Sequence, residues 1–406
     1  MAKAQTKVKL HNFIWSGTNH KGVKDNGEIE AASIRLARML LRQKGINVKK
    51  VRKEAKPLFG GPKVTNRDIV VLTRQLATMV EGGIPIAQSI TAVAQSSENP
   101  AVRKLLSNMR RRVDSGENLT STLKHHPKHF NQLYIGLVTV GEESGTLGPM
   151  LIRIAAYLEK SEALRRKIKS AMMYPVIVFG LGMLIAAGLL IFIIPQFQTL
   201  FNDFGAELPA LTKYVIKASE FVQAQWFFIL AGMVIFFYVY RSLYRSSEAV
   251  LYATDKMVLK IPVFGPLIRK SVLARISRTI AIMFRAGIPL VETLGTIAPA
   301  AGNYIYTKGL AQVRTDISTG QPLESSMRDT KLFPSMVLQM VRTGEETGEM
   351  DSMLDKAADY YEDEVDNTVD SISSLVEPML VVVLGIMIGT VVIAMYLPIF
   401  NLGSVF

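Results

Sequence analysis

The sequence predicts an all-α integral membrane protein with two duplicated six-helix cytoplasmic bundles, three transmembrane helices and a small N-terminal α/β module. Three observations carry this. Three apolar runs of 21 to 24 residues are present, and about 20 suffice for a helix to cross roughly 30 Å of hydrocarbon. The chain matches itself at an offset of 204 and then 203 residues. Inside each copy apolar residues recur at i, i+4, i+7 and i+8, the spacing of one helix face.

The totals agree with a chain that is part membrane and part soluble. Of 406 residues 49% are hydrophobic, with a mean hydropathy of +0.23. The net charge of +13 is uneven: residues 1–174 carry 30 Lys/Arg against 13 Asp/Glu, whereas 241–377 carry 15 against 18. A basic excess suits a membrane surface and retention on the cytoplasmic side. The absence of cysteine excludes disulfides, thiolate metal sites and thiol nucleophiles. MAKAQTKVKLHNF lacks the apolar core of a signal peptide, so the start of the chain is expected in the cytoplasm.

Residues 1–62 form the first module and linker. FIWSGTNHKGVKDNGEIEA alternates like two strands around Gly-rich turns. AASIRLARMLLRQKG reads as an amphipathic helix closed by Gly45, INVKKVRK as a strand, and KPLFGGPK as a linker. The first bundle occupies 63–174. Leu72, Leu76, Met79 and Val80 make one face, repeated by Ile276, Ile280, Met283 and Phe284. Gly82-Gly83 ends that helix and Pro85 starts the next as a first-turn proline; Gly287 and Pro289 are their counterparts. Further helices are expected at 100–114, 117–126 and 131–141, then a long one from about 147 into the first span. The second bundle, with its linker, occupies 242–374.

The spans are 175–197, uncharged; 221–241, with Trp226 at one end and Tyr238 and Tyr240 at the other; and 375–398, charged only at Glu377. Lys160, Arg165, Arg166, Lys167 and Lys169 precede the first span, and Arg241, Arg245 and Lys256 follow the second. The connecting segment 198–220 has only Lys213 and Lys217, so it faces outward and the bundles face the cytoplasm. The third span inherits its direction, leaving 399–406 as a periplasmic tail. Two direct repeats that each finish by crossing outward need one return crossing, which 221–241 supplies.

The repeat keeps Gly and Pro in register. Arg74 falls on Arg278, Gly83 on Gly287, Pro85 on Pro289, Gly141 on Gly344 and Pro175 on Pro378. VGEESGTLGPML (140–151) and TGEETGEMDSML (343–354) mark the turn between the fifth and sixth helices. Three readings of its residues Gly141, Glu142 and Gly145, and of Gly344, Glu345 and Gly348, stand open. In one, the first Gly permits a left-handed helix end, Ser or Thr caps the next helix, and Glu favours that helix's dipole. In the second, Glu142 or Glu345 pairs with Arg74 or Arg278 of its own bundle. The third makes the carboxylate catalytic or metal-binding, but no second placed group supports it.

Glu377 precedes Pro378 at the mouth of the third span, either wet and structural or receiving a charged partner helix. Residues 345–370 hold eleven Asp/Glu and one Lys, while the matching 142–167 hold four acids and five bases. That run is a solvated face, or a surface by which the two copies dock on each other or on different partners. GxxxxGK[ST], HExxH and GxSxG are all absent.

The blocks LTRQLATMVEGGIPI and ISRTIAIMFRAGIPL, the GEESG and GEETG turns, MMYP before the first span and VEP before the third carry a resemblance. Over residues 10–400 the chain resembles the inner-membrane platform proteins of type IV pilus assembly and type II secretion, the PilC/GspF family. FIWSGTNHKGVKDNGEIEA and IIPQFQTLFNDFGAELPALTKYVIKASEF tilt it to the pilus branch. The resemblance implies a non-enzymatic scaffold without cofactor or nucleic acid. Its implied partners are cytoplasmic assembly and retraction ATPases, pilins and inner-membrane alignment proteins, with membrane lipid around the spans and self-association into a homo-oligomer. A transporter is the rival from another class, but no span carries a charge in its middle third. A membrane-tethered nucleic-acid binder lacks a binding motif.

Overall fold

Alternating side chains at the start of the chain form a small sheet. In a computed structural model that describes residues 11–18, 24–43, 45–53, 61–196, 199, 210–262 and 264–402, β1 (His11–Thr18) lies between β2 (Lys24–Ala31) and β3 (Asn47–Lys53), antiparallel to both. Phe13 and Trp15 point inward with Val51 and meet Ala37 and Leu41 of α1 (Ile34–Gln43). The register of β1 on β3 shifts between Ser16 and Gly17. A Cβ at Gly17 would stand 2.4 Å from the Asn47 carbonyl oxygen, so only glycine fits that bulge. Gly45, at φ +69°, ends α1, as the sequence suggested. This module, up to Val64 and joined by Glu98–Val102, is one compact unit; Thr65–Ser97 and Arg103 onward form the second.

The repeats are built alike. The first comprises α2 (Asn66–Glu81), α3 (Ile86–Ser96), α4 (Pro100–Asp114), α5 (Leu119–Lys124), α6 (Gln132–Glu143) and α7 (Leu147–Gly188). After α8 (Ala210–Ser246) and α9 (Glu248–Val258) the second follows as α10 (Phe264–Arg285), α11 (Leu290–Ile297), α12 (Tyr304–Ser318), α13 (Leu323–Asp329), α14 (Ser335–Thr347) and α15 (Met350–Leu402). Thr65 and Asp68 close a reciprocal capping box that starts α2. Gly83 and Gly287 take φ +82° and +79° at the following turns. Pro85 and Pro289 stand at the N-cap, one residue earlier than a first-turn proline. The buried face of α2 runs Ile69, Leu72, Thr73, Leu76 and Ala77. In α10, Ile276, Ile280 and Met283 are buried as expected, but Phe284 is exposed. It stands in the last turn of α10, one residue before the helix ends at Arg285, past the stretch from Ile276 to Met283 in which every residue is buried.

Among the described residues three helices are long and apolar enough to cross a membrane: Leu147–Gln196, Ala210–Tyr244 and Met350–Ala394. Both α7 and α15 run without a break from bundle to apolar stretch, through Pro175 and Pro378. The 53 residues of α15 span about 80 Å at 1.5 Å per residue. The outer segment expected at 198–220 is partly helix, because α8 begins at Ala210; residues 200–209, and the end of the expected tail from 403, lie outside the described residues. So do 19–23 and most of the expected linker at 56–63.

Polar groups tie the apolar helices together. α7 gives way to a π turn at Leu189–Ile193. The wider turn leaves the Leu190 carbonyl accepting from Ser219 Oγ, and from Gln223 Nε2 at 3.4 Å. Thr212 Oγ1 donates to the Ala394 carbonyl at 2.6 Å. The most apolar stretch of α8 buries none of its residues.

Candidate functional site

The GEESG and GEETG turns have a different logic from the one expected. Gly141 and Gly344 lie inside α6 and α14, not at a left-handed end. A Cβ on Gly141 would stand 3.0 Å from Leu147 Cα, and one on Gly344 would stand 2.8 Å from Met350 Cα. The first glycine therefore lets the sixth helix of each repeat fold back tightly on the fifth. The second glycine takes the left-handed conformation, at φ +72° for Gly145 and +78° for Gly348. Ser144 does not cap α7; its hydroxyl donates to the Val140 carbonyl of its own helix.

The carboxylates reach back to an earlier helix. Glu142 accepts from the backbone N–H of Leu119 at 2.5 Å and of Thr120 at 2.8 Å. Glu345 accepts from those of Leu323 at 2.6 Å and Glu324 at 3.1 Å. Each carboxylate thus takes two of the N–H groups that a helix start leaves without partners. In the first repeat Asn118 takes the next one, from Ser121. The second repeat has Pro322 there and no side-chain cap. So the Glu staples α6 to α5 and α14 to α13, and it does not pair with Arg74 or Arg278.

Arg74 instead makes a two-pronged contact with Glu159 of α7, at 2.6 and 2.5 Å. That bond, above all, holds Glu159 below the usual carboxylate range and Arg74 above its ordinary value. Arg278 repeats the fork onto Glu362, at 3.0 and 2.8 Å, and adds Asp355 and Asp359. Its side chain is only 8% exposed. Burial alone would lower its pKa, but the bonds to Glu362 and Asp359 and the charges of Glu362 and Asp355 outweigh it and hold the value well above normal. Arg285 extends the network to Asp351 at 2.8 Å and Asp355 at 3.1 Å.

The same acidic helix face meets the basic face of the other repeat. Lys160 of α7 lies 3.2 Å from Asp359 and 3.4 Å from Glu362. Lys167, two turns on, lies 3.2 Å from Asp366 and 3.6 Å from Asp370. Leu164, Ile168, Ala171 and Met172 pack there against Leu267, Val365, Val369, Ile372 and Val376. Of the readings of the acidic run, the structure therefore supports docking of one copy on the other. Glu377 and Pro378 are exposed on α15, whereas Pro175 is half-buried on α7.

What sequence reasoning missed is the set Glu159, Asp355, Asp359 and Glu362. A signal was present: Glu159 and Glu362 are in repeat register at 203, beside Arg74 and Arg278 at 204. Among the described residues no group of three or more His, Cys, Asp or Glu is placed to hold a metal ion.

Comparison with known proteins places this geometry in context. The family described as type II secretion system protein F matches residues 72–195 and again 276–398, and its N-terminal domain matches residues 1–52. The type IV pilus assembly protein TapC of Aeromonas hydrophila is 44% identical over 404 residues, 99% of this chain and 98% of the relative. The type IV pilus assembly protein PilC of Pseudomonas aeruginosa is 43% identical over 371 residues, 91% of this chain and 99% of the relative. The type II secretion system protein F of Vibrio cholerae is 30% identical over 342 residues, 82% of this chain and 84% of the relative.

Proposed function

Since the chain belongs to the type II secretion system protein F family, we propose that it is a non-enzymatic inner-membrane platform of type IV pilus assembly. Greater identity to the pilus assembly proteins than to the secretion protein supports the pilus branch over a pseudopilus role in secretion. In this reading both bundles lie in the cytoplasm and the end of α15 reaches the periplasm. The bundles engage assembly and retraction ATPases, and the spans act on pilins beside inner-membrane alignment proteins.

The observation that carries the reading is the continuity of α7 and α15 from charged bundle to apolar stretch. A displacement of a bundle by an ATPase is delivered into the membrane by a helix that has no loop in which to dissipate it. The Arg74 and Arg278 forks clamp the lever helices to the first helix of each bundle, so each bundle moves with its lever.

The chain has no cysteine of its own, so a single pair can be introduced cleanly. Lys160→Cys with Asp359→Cys, both at half-exposed positions across the repeat junction, are joined by a short bismaleimide. Fibre growth stops on cross-linking while membrane insertion persists; growth that continues in the cross-linked protein rules the coupling out. A reporter fused after residue 300 reads as cytoplasmic, and a periplasmic signal there overturns the orientation.

A further inference from the structure

We propose that the cleft between the two repeats binds a phosphate-bearing anion of diphosphate or phospholipid-headgroup size. The cleft encloses about 760 Å³, within the roughly 300–1,000 Å³ of small-molecule sites. Lys160, Arg165 and Lys169 line it from α7, Arg275 and Arg278 from α10, and Glu362 from α15.

The charges do not cancel. Arg278 is neutralised by Asp355, Asp359 and Glu362, and Lys160 shares the last two. Three cations remain. Arg165 has only a 3.9 Å contact with Glu162, and Arg275 donates at 3.4 Å to the neutral Ala300 carbonyl. Lys169 has no ion pair among the described residues. Concentrating cations in a concave site without matching carboxylates attracts an anion, and most strongly one of multiple charge.

The internal repeat supplies an independent control. The positions equivalent to Arg165 and Lys169 in the second copy, 203 residues on, are Thr368 and Ile372. The position equivalent to Arg275 in the first copy, 204 back, is Val71. Thr368 accepts a hydrogen bond from Lys270, and Ile372 sits in the apolar cluster. The three cations are therefore not a general solvating feature of the repeat; they stand only on the surfaces that line the cleft.

Two sources share this chemistry. Lys169 and Arg165 lie six and ten residues before Pro175, where the apolar run begins, or about 9 and 15 Å along the helix. The headgroup layer extends roughly 5–8 Å beyond the hydrocarbon, so a lipid phosphate reaches Lys169 and a soluble phosphate reaches all three cations.

The full chain is reconstituted in phosphatidylcholine nanodiscs, alone, with inorganic pyrophosphate, or with phosphatidylglycerol in the bilayer. Hydrogen exchange is followed in segments 160–170 and 268–278. At about ten times the dissociation constant, exchange through local opening slows about tenfold. Slowing with pyrophosphate identifies a soluble anion, and slowing with phosphatidylglycerol alone identifies a lipid headgroup. Lys169→Gln with Arg275→Gln abolishes the effect, whereas Arg103→Gln with Lys104→Gln, exposed on α4 and not lining the cleft, retains it. No slowing in either arm, or equal slowing in the cleft variant, overturns the proposal.

Discussion

Replacing Glu142 by Gln isolates the staple between α6 and α5 with little change of shape. The carboxylate accepts from two backbone N–H groups, those of the buried residues Leu119 and Thr120. A hydrogen bond to a charged group contributes about 1.5–3 kcal/mol. The amide keeps one acceptor, loses the second bond, and turns an NH₂ donor toward an N–H donor. With the site half-buried, the cost is about 2 kcal/mol. Asn118 still caps Ser121, so α5 frays without the bundle unfolding. The measurement is hydrogen exchange across 119–124 in the full chain, where about 2 kcal/mol appears as roughly 30-fold faster local opening. A double-mutant cycle adds the second half of the test. Arg74→Ala with Glu142→Gln is additive within about 0.5 kcal/mol, because the two share no contact. Arg74→Ala with Glu159→Gln, which dismantles the observed fork, couples by up to about 1 kcal/mol. Unchanged exchange in 119–124, or coupling between Arg74 and Glu142, refutes the reasoning.

Arg278→Lys keeps the charge but loses the fork that serves three carboxylates, and destabilises the second repeat by about 2–3 kcal/mol; urea-dependent exchange in 264–285 reports it. Gly344→Ala drives a Cβ against the Met350 backbone and costs about 1–3 kcal/mol by overpacking. Gly348→Ala meets no atom within 4 Å and costs only the left-handed strain of about 1–2 kcal/mol, so unchanged thermal stability in either variant counts against the role assigned to that glycine. The carboxyl of Glu159 titrates below its ordinary 4.5, chiefly through Arg74, and that of Asp359 below 3.8, where the bonds to Arg278 and Lys160 outweigh burial. Depressed carboxyl pKa values give stability that is complete above about 4.5 and lost as pH falls through the lower folded-state values. Both repeats therefore loosen below about pH 4, and Arg74→Ala removes part of that dependence in an acid titration followed by hydrogen exchange.

Most of the fold was legible because its signals are local. Long apolar runs give spans by length alone, and Gly45, Gly83 and Pro85 punctuate helices through φ preferences that act within a few residues. The N-terminal sheet was legible for the same reason, since the β-prone run of Phe13, Ile14 and Trp15 is closed off by Gly-rich turns. The site was less so. Glu142 contacts residues 23 and 22 positions earlier, and Arg74 contacts one 85 positions later. Such pairings depend on how helices pack, which single-helix periodicity does not encode. Gly141 illustrates the ambiguity: a glycine near a helix end fits a left-handed cap and a close packing contact equally well until its neighbour, Leu147, is in place.

Duplication sets a problem that the charge divergence solves. Two identical lever helices would bring like charges together when packed side by side. The positions of Lys160 and Lys167 correspond to Asp363 and Asp370 in the second copy. Had the first copy kept acids there, they would face Asp359, Glu362, Asp366 and Asp370. With side chains this exposed, the lysine contacts add little to stability. Burying the cluster of Leu164, Ile168, Val365, Val369 and Ile372 contributes more, at about 1.5–3 kcal/mol per fully buried large side chain. The apolar cluster therefore sets how tightly the repeats hold, and the lysines set which faces meet and in what register. Lys167→Asp reverses one such contact and opens the junction, raising exchange in 160–172 and 362–376 most at low ionic strength. Combining it with Asp366→Lys and Asp370→Lys restores the opposite-charge pairing and the protection. A reversal that leaves exchange unchanged, or a triple variant no better protected than the single one, would mean that apolar packing alone aligns the two copies.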